Sequence, residues 1–217
     1  MSTKQRILDA ALVLFNEQGE RSVTTNHIAA HLNISPGNLY YHFKNKQAII
    51  FDLFVAYEEM VLQNLQVPED RELTVLDKVN YLKDTFTGLW QCRFIHRDME
   101  HLLQADEALH ARYRDFFRTC LQQVGKIYRG LRDAGMIAIS DDEVDSLALN
   151  TWIVVTSWFS FLRCNLLTDN QNEISQEMLW GGIYQVFTLE RPYLTDEFRD
   201  KVIELQTQVS PKPAWLG

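Results

Sequence analysis

The 217-residue chain carries 21 Lys and Arg against 29 Asp and Glu, a net charge of −8, with 46% hydrophobic residues and three cysteines. That apolar share excludes a largely disordered protein, and the length suffices for one large or two modest cores. Cys92, Cys120 and Cys164 are odd in number, far apart and outside any C-x-x-C pattern, so neither a disulfide framework nor a zinc site is suggested and a reducing cytoplasm fits best.

Taken as one body, a net −8 argues against a nucleic-acid partner, because phosphate binding relies on Lys and Arg. The distribution of charge along the chain points the other way. Residues 1–50 hold Lys4, Arg6, Arg21, Lys44 and Lys46 against Asp9, Glu17 and Glu20, a net of +2, which leaves −10 for the rest. A mildly basic N-terminal module on an acidic body is the asymmetry expected when only the first part meets a polyanion.

The first helix is expected over 3–18, where Ile7, Leu8, Ala11, Leu12, Leu14 and Phe15 recur at spacings of three and four and Gly19 suits a left-handed end. The amphipathic start has no continuous apolar run and does not read as a secretory signal. Thr24 can cap a second helix that turns Ile28, Ala29 and Leu32 inward. It ends near Asn33, and a third begins only two residues later, with Ser35 as cap and Pro36 at the first helical position, where a missing N–H costs nothing. Two short helices joined by a tight turn and braced by a longer one make a helix-turn-helix arrangement. The third helix opens on the small Gly37 and on Asn38, then presents Tyr40, Tyr41, His42, Lys44 and Lys46 as a compact set of donors for a polyanion.

Residues 5–53 resemble the DNA-binding domain of TetR-type transcriptional regulators. The resemblance rests on Ile7-Leu8-Asp9-Ala10-Ala11, Phe15, Gly19, Thr24-Thr25, Ile28-Ala29 and above all Leu39-Tyr40-Tyr41-His42-Phe43-Lys44-Asn45-Lys46. Asn33 departs from the glycine often found in the family's turn, yet Asn tolerates the left-handed conformation. The resemblance implies that Pro36, Gly37 and Asn38 face base edges, the Asn38 amide being suited to adenine, with Asn26 as a further base contact. It implies that Thr24, Thr25, Tyr41, His42 and Lys46 hold phosphates. Tyr40 contacts a phosphate or packs inward, Leu39 and Phe43 belong to the core, and His42 has a structural alternative.

A longer helix is expected over 46–65, with Ile49, Ile50, Leu53, Phe54, Tyr57, Met60 and Val61 as its buried stripe. Pro68 and the four charged residues after it interrupt the pattern. Further helices are expected over about 76–90, 97–103, 106–133, 141–167, 175–189 and from 195 through Leu205, with Ser140-Asp-Asp-Glu143 as a capping box. No alternating strand pattern, repeat or low-complexity run is present. The apolar stretch 148–167, the nearest approach to a membrane span, is broken by Asn150, Arg163 and Asn165. The fold class is therefore all-α. The expected organisation is a helix-turn-helix domain at 1–48, a larger helical effector-binding and dimerisation domain at 49–208 and an extended tail at 209–217.

In this body, Phe86, Trp90, Phe94, Met99, Leu103, Tyr113, Phe116, Phe117, Trp152, Thr156 and Phe159 are candidate lining for an apolar effector pocket, as the resemblance implies, although most aromatics of any bundle are simply core. The resemblance also implies that the helices around 141–167 and 175–189 pair with their copies across a two-fold axis. Trp158, Leu162, Trp180, Gly181, Ile183, Tyr184 and Phe187 are the candidate interface, and the glycine pair 181–182 has an ordinary intramolecular contact as its alternative. His96-Arg97-Asp98 copies a kinase catalytic triplet, but the glycine-rich loop and Asp-Phe-Gly are absent. His96 and His101 are five apart and diverge on one helix, so neither a metal nor another cofactor is expected. The expected partners are double-stranded DNA, a second copy of the chain and a small-molecule effector, without a membrane. The sequence reads as a homodimeric repressor released from a palindromic operator by a mainly apolar effector. An architectural or division-control DNA-binding protein without an effector is the alternative.

Overall fold

The computed structural model describes residues 1–167 and 173–216. These residues form ten α-helices, three short 3₁₀ turns and one isolated bridge between Ile137 and Leu194. They make two compact units, residues 1–60 with 92–114, and residues 61–91 with 115–217.

In the first unit, α1 (Thr3–Gln18), α2 (Thr25–His31) and α3 (Pro36–His42) pack pairwise, and α4 (Lys46–Asn64) begins four residues after α3. Ile7, Ala11 and Phe15 on α1, Ile28 on α2, Leu39 on α3 and Ile49 on α4 are all buried, as their spacing requires. α1 ends at Gly19, whose φ of 87° is available to glycine at little cost. α6 (Arg93–Ala105) braces this end of α1. Phe94 N donates to Asn16 Oδ1 at 3.1 Å, the Phe15 and Phe94 rings lie 5.2 Å apart, and Arg97 donates to the carbonyls of Phe15 and Asn16. Arg97 thereby satisfies the Asn16 carbonyl, one of those a helix C-terminus leaves unpaired, and joins Gly19 N on the Phe15 carbonyl. α6 begins earlier than its apolar pattern suggested and carries non-helical backbone at Asp98. Arg97, which the sequence offers only within a kinase-like triplet, is a cap for α1.

The second unit takes its helices from α5 (Val75–Gln91), the later part of α7 (Glu107–Asp133), α8 (Asp141–Asn165), α9 (Gln176–Glu190) and α10 (Asp196–Val209). The Ser140–Glu143 capping box forms as expected, with Glu143 N donating to Ser140 Oγ and Ser140 N to Glu143 Oε2. α9 lies against α8 and α5. A Cβ on Gly182 would collide with the Phe86 ring and meet the Trp158 indole, while one on Gly181 would press on Pro213. Close packing inside the chain is thus the reason for the glycine pair. The stretch expected as an extended tail returns to the unit: Ser210 Oγ donates to Trp180 O at 3.1 Å, and Trp215 lies 6.0 Å from both Trp158 and Phe161. Gly217, its last residue, lies outside the described residues. The compact units follow packing, whereas the expected boundary at 48/49 follows role, so the two divisions differ.

Candidate nucleic-acid interface

α3 is short, and its placement comes from both ends. Ser35 Oγ accepts from Asn38 N at 3.2 Å and Pro36 occupies the first turn. Asn33 takes φ 55°, the left-handed conformation anticipated for a residue replacing glycine, and lets Ile34 N reach Ala29 O at 3.0 Å. α2 is capped by Thr24, whose hydroxyl accepts from His27 N at 3.3 Å while Thr24 N donates to His27 Nδ1 at 3.4 Å. His27 thus serves where Glu or Gln is usual in a capping box.

This geometry separates two faces. Leu39 and Phe43 are buried, whereas Pro36, Gly37, Asn38 and Tyr40 are exposed and Tyr41 is 86% exposed. An exposed tyrosine of that degree, at the edge of a small hydrophobic core, is a side chain held out to solvent rather than packed. His42 is half-buried and edges onto the Tyr41 ring at 5.1 Å. Thr24 and Asn26 are exposed on α2. Thr25 is half-buried because its Oγ1 lies 3.0 Å from Tyr40 Oη, a bond that ties α2 to α3. No local pattern announces that pairing, since 15 residues separate the partners. Lys44, just beyond the helix, is exposed as well.

Lys46, expected to hold a phosphate, is engaged inside the protein. Its ammonium pairs with Glu20 Oε1 at 2.6 Å and donates to the carbonyls of Glu20 at 3.0 Å and Val23 at 3.1 Å. A lysine ammonium has three donors, and all three are engaged. The physical reason is Glu20, buried to 3% exposure, which demands a cation beside it.

The candidate effector residues divide between the two units. Phe94, Met99, Leu103 and Tyr113 belong to the first, where Phe94 is buried and Tyr113 lies 6.1 Å from Phe54. The second unit holds Phe86, Phe116 and Phe159, all buried, with Trp90, Phe117, Trp152 and Thr156 half-buried. Trp152 edges onto Phe116 at 5.9 Å and Phe117 at 5.3 Å, and Thr156 bonds back to the Trp152 carbonyl.

The candidate interface residues are mostly inside the chain. Trp158, Leu162, Gly181, Ile183 and Phe187 are buried, and Trp158 Nε1 donates to Met178 O at 3.2 Å. Only Trp180 and Tyr184 of that set are half-exposed. The apolar side chains that α8 does expose are Leu149 at 41%, Ile153 at 51% and Phe161 at 39%. The sequence could not separate these faces, because α8 is apolar on both. Among the described residues no group of three or more His, Cys, Asp or Glu is placed to hold a metal, and no helix is long and apolar enough to cross a membrane.

The fold and this surface define an all-helical protein with an N-terminal helix-turn-helix module followed by a helical body. A family model described as bacterial regulatory proteins of the tetR family matches residues 7–53, and one described as a bacterial transcriptional repressor matches residues 56–202. The chain belongs to the TetR family, whose members are regulators rather than enzymes. It is 38% identical over 87 residues to the HTH-type transcriptional regulator UidR of Escherichia coli K12, covering 40% of this chain and 42% of UidR. To the IcaR negative regulator of the icaADBC biofilm operon in Staphylococcus aureus it is 29% identical over 130 residues, 60% of this chain and 62% of IcaR. The chain thus spans under two thirds of these curated relatives. A crystal structure of a TetR-family regulator from Marinobacter aquaeolei VT8 superposes with a TM-score of 0.90 at 46% identity, covering 98% of this chain and all of the other. SmeT in complex with triclosan shares the fold, with a TM-score of 0.62 at 19% identity over 90% of this chain and 93% of SmeT.

Proposed function

We propose that this protein is a homodimeric, sequence-specific DNA-binding repressor in the cytoplasm, released from a palindromic operator by a small, mainly apolar effector. The observation that carries the DNA reading is the division of α3 into buried Leu39 and Phe43 and exposed Pro36, Gly37, Asn38, Tyr40 and Tyr41. Asn38 and Asn26 read base edges; Thr24, Tyr41 and His42 hold phosphates; Tyr40 and Thr25 fix the spacing of α2 and α3 and share the backbone contact. Lys46 acts indirectly, by holding the turn that leads to Thr24.

Two copies are needed because one +2 module offers little counterion release, whereas a two-fold dimer presents two reading helices to successive major grooves. The exposed apolar side chains Leu149, Ile153 and Phe161, with Trp180 and Tyr184, are the face proposed for that pairing. The effector reading draws support from the aromatic groups of the body and from SmeT, a fold relative bound to triclosan. Residues 1–48 act as the reading head and 49–208 as the effector-binding and dimerising body. The effector must favour the state that does not bind DNA, since a ligand shifts an equilibrium only by its differential affinity.

Footprinting on genomic fragments, repeated with a panel of apolar metabolites and drugs, tests the proposal. A short palindrome lost on adding one compound is the expected result. Absence of specific DNA binding at low salt defeats it, and a monomer by sedimentation with or without operator defeats the dimer.

A further inference from the structure

Glu20 presents chemistry that DNA reading does not use. Its carboxylate follows Gly19 at the end of α1 and is almost fully buried; Oε1 is taken by Lys46, but Oε2 is sealed from solvent and accepts no hydrogen bond. A buried carboxylate oxygen without a donor is costly and calls for a partner. His101 Nε2 lies 3.8 Å from it, too far for a hydrogen bond, on a side chain that is 41% exposed.

Beside this group, wholly within the first unit, lies a cavity of about 170 Å³. Ile50, Leu102 and Leu109 give it an apolar wall, and Glu20, His101 and Asp106 give it polar ones. With one water occupying about 30 Å³ of liquid, it holds a solute of roughly five heavy atoms. Asp106 Oδ1 already accepts from Leu109 N at 3.0 Å, capping α7. Two carboxylates therefore face the space against the single ammonium of Lys46, so an anion is repelled and a donor-bearing cation is favoured.

We propose that this cavity binds a small primary ammonium compound. Its N–H groups satisfy Glu20 Oε2 as the His101 ring turns aside, and its short alkyl chain lies on Ile50, Leu102 and Leu109. A quaternary ammonium carries the charge but has no donor for Oε2. Occupancy would set a second ammonium beside that of Lys46, which holds the carbonyls of Glu20 and Val23 next to Thr24, the cap of α2. Any effect on operator affinity rests on the function proposed above; binding itself does not.

Titration calorimetry of the full-length protein with n-propylammonium chloride at neutral pH tests the site, with tetramethylammonium chloride as the donor-free control. Saturable propylammonium binding is expected, with tetramethylammonium at least about tenfold weaker. Ala105→Phe, at an exposed position lining the cavity, should abolish propylammonium binding at unchanged melting temperature. Glu20→Gln should weaken it by about tenfold or more; if that variant does not fold, Ala105→Phe decides alone. No saturable binding, equal binding of the two ammonium ions, or undiminished binding by Ala105→Phe overturns the proposal. Because the readout is heat of ligand binding, failure here leaves the DNA reading standing, and loss of DNA binding leaves this site standing.

Discussion

In each compact unit a lysine clasps a buried glutamate, and the two clasps are completed differently. In the second unit Lys78 of α5 pairs with Glu190 of α9, both side chains nearly sealed, and Lys78 also lies 4.9 Å over the Phe187 ring. The other Glu190 oxygen accepts from Tyr128 Oη at 2.8 Å, which lies 2.6 Å from Thr151 Oγ1. Burial first, and then the Glu190 charge, holds the Tyr128 phenol well above its usual range, so it stays a neutral donor. In the first unit Glu20 and Lys46 make the same kind of pair, yet one carboxylate oxygen is left without a donor. A buried carboxylate with donors on both oxygens fixes how four helices meet, whereas one with a bare oxygen retains capacity to bind.

The largest expected effect tests that contrast directly. Lys78→Met strands the Glu190 charge and should cost about 3–5 kcal/mol, read as a lower denaturation midpoint at unchanged slope, and adding Glu190→Leu should recover much of it. Lys46→Met should cost less, because the Lys46 side chain is 22% exposed against 3% for Lys78, so water can take its place beside Glu20. Equal costs would erase the distinction between the clasps.

Acid provides the next test. Burial pushes the His96 imidazole down to about 4 from its ordinary 6.5, and its Nε2 lies 2.9 Å from Tyr57 Oη. The unfolded chain therefore takes up a proton that the folded chain refuses. Stability present above pH 6.5 should be lost as the pH falls toward 4, by about 3 kcal/mol in total. His96→Gln should flatten that part of the pH profile; an unchanged slope would assign the acid sensitivity to other groups.

Gly182→Ala comes third. The added methyl is trapped between Phe86 and Trp158, so a loss of about 1–3 kcal/mol is expected by calorimetry despite the gain in helix propensity. Gly181→Ala, which meets mainly Pro213, should cost less. The smallest effect on stability is expected at the reading helix. Asn38→Ala should leave the melting temperature unchanged while removing about 1–3 kcal/mol of discrimination at one base pair, measured by binding to single-substituted operators. Should it weaken binding evenly across sequences, Asn38 is a backbone contact.

The reading head was largely legible in the sequence because its signals are local. Caps at Thr24 and Ser35, Pro36 at the helix start and the left-handed Asn33 depend on neighbours within four residues, and the structure has each of them. The helices of the body were legible for the same reason, since a 3.6-residue period is a property of a short window. Their faces were not. Trp158, Leu162, Ile183 and Phe187 share helices with exposed or half-exposed apolar residues, and which of two apolar faces turns inward is set by the helices that pack against them.

By itself, then, the sequence determined an all-helical protein, the place and polarity of its helix-turn-helix, and the separation of a basic head from an acidic body. Only the tertiary structure decided the partners of its buried charges. Nothing near Lys46 in the chain reveals Glu20, 26 residues earlier, and nothing near Lys78 reveals Glu190, 112 residues later. Charge, period and capping are written in neighbouring residues, but the desolvation that turns a surface lysine into a clasp exists only once distant helices exclude water from it.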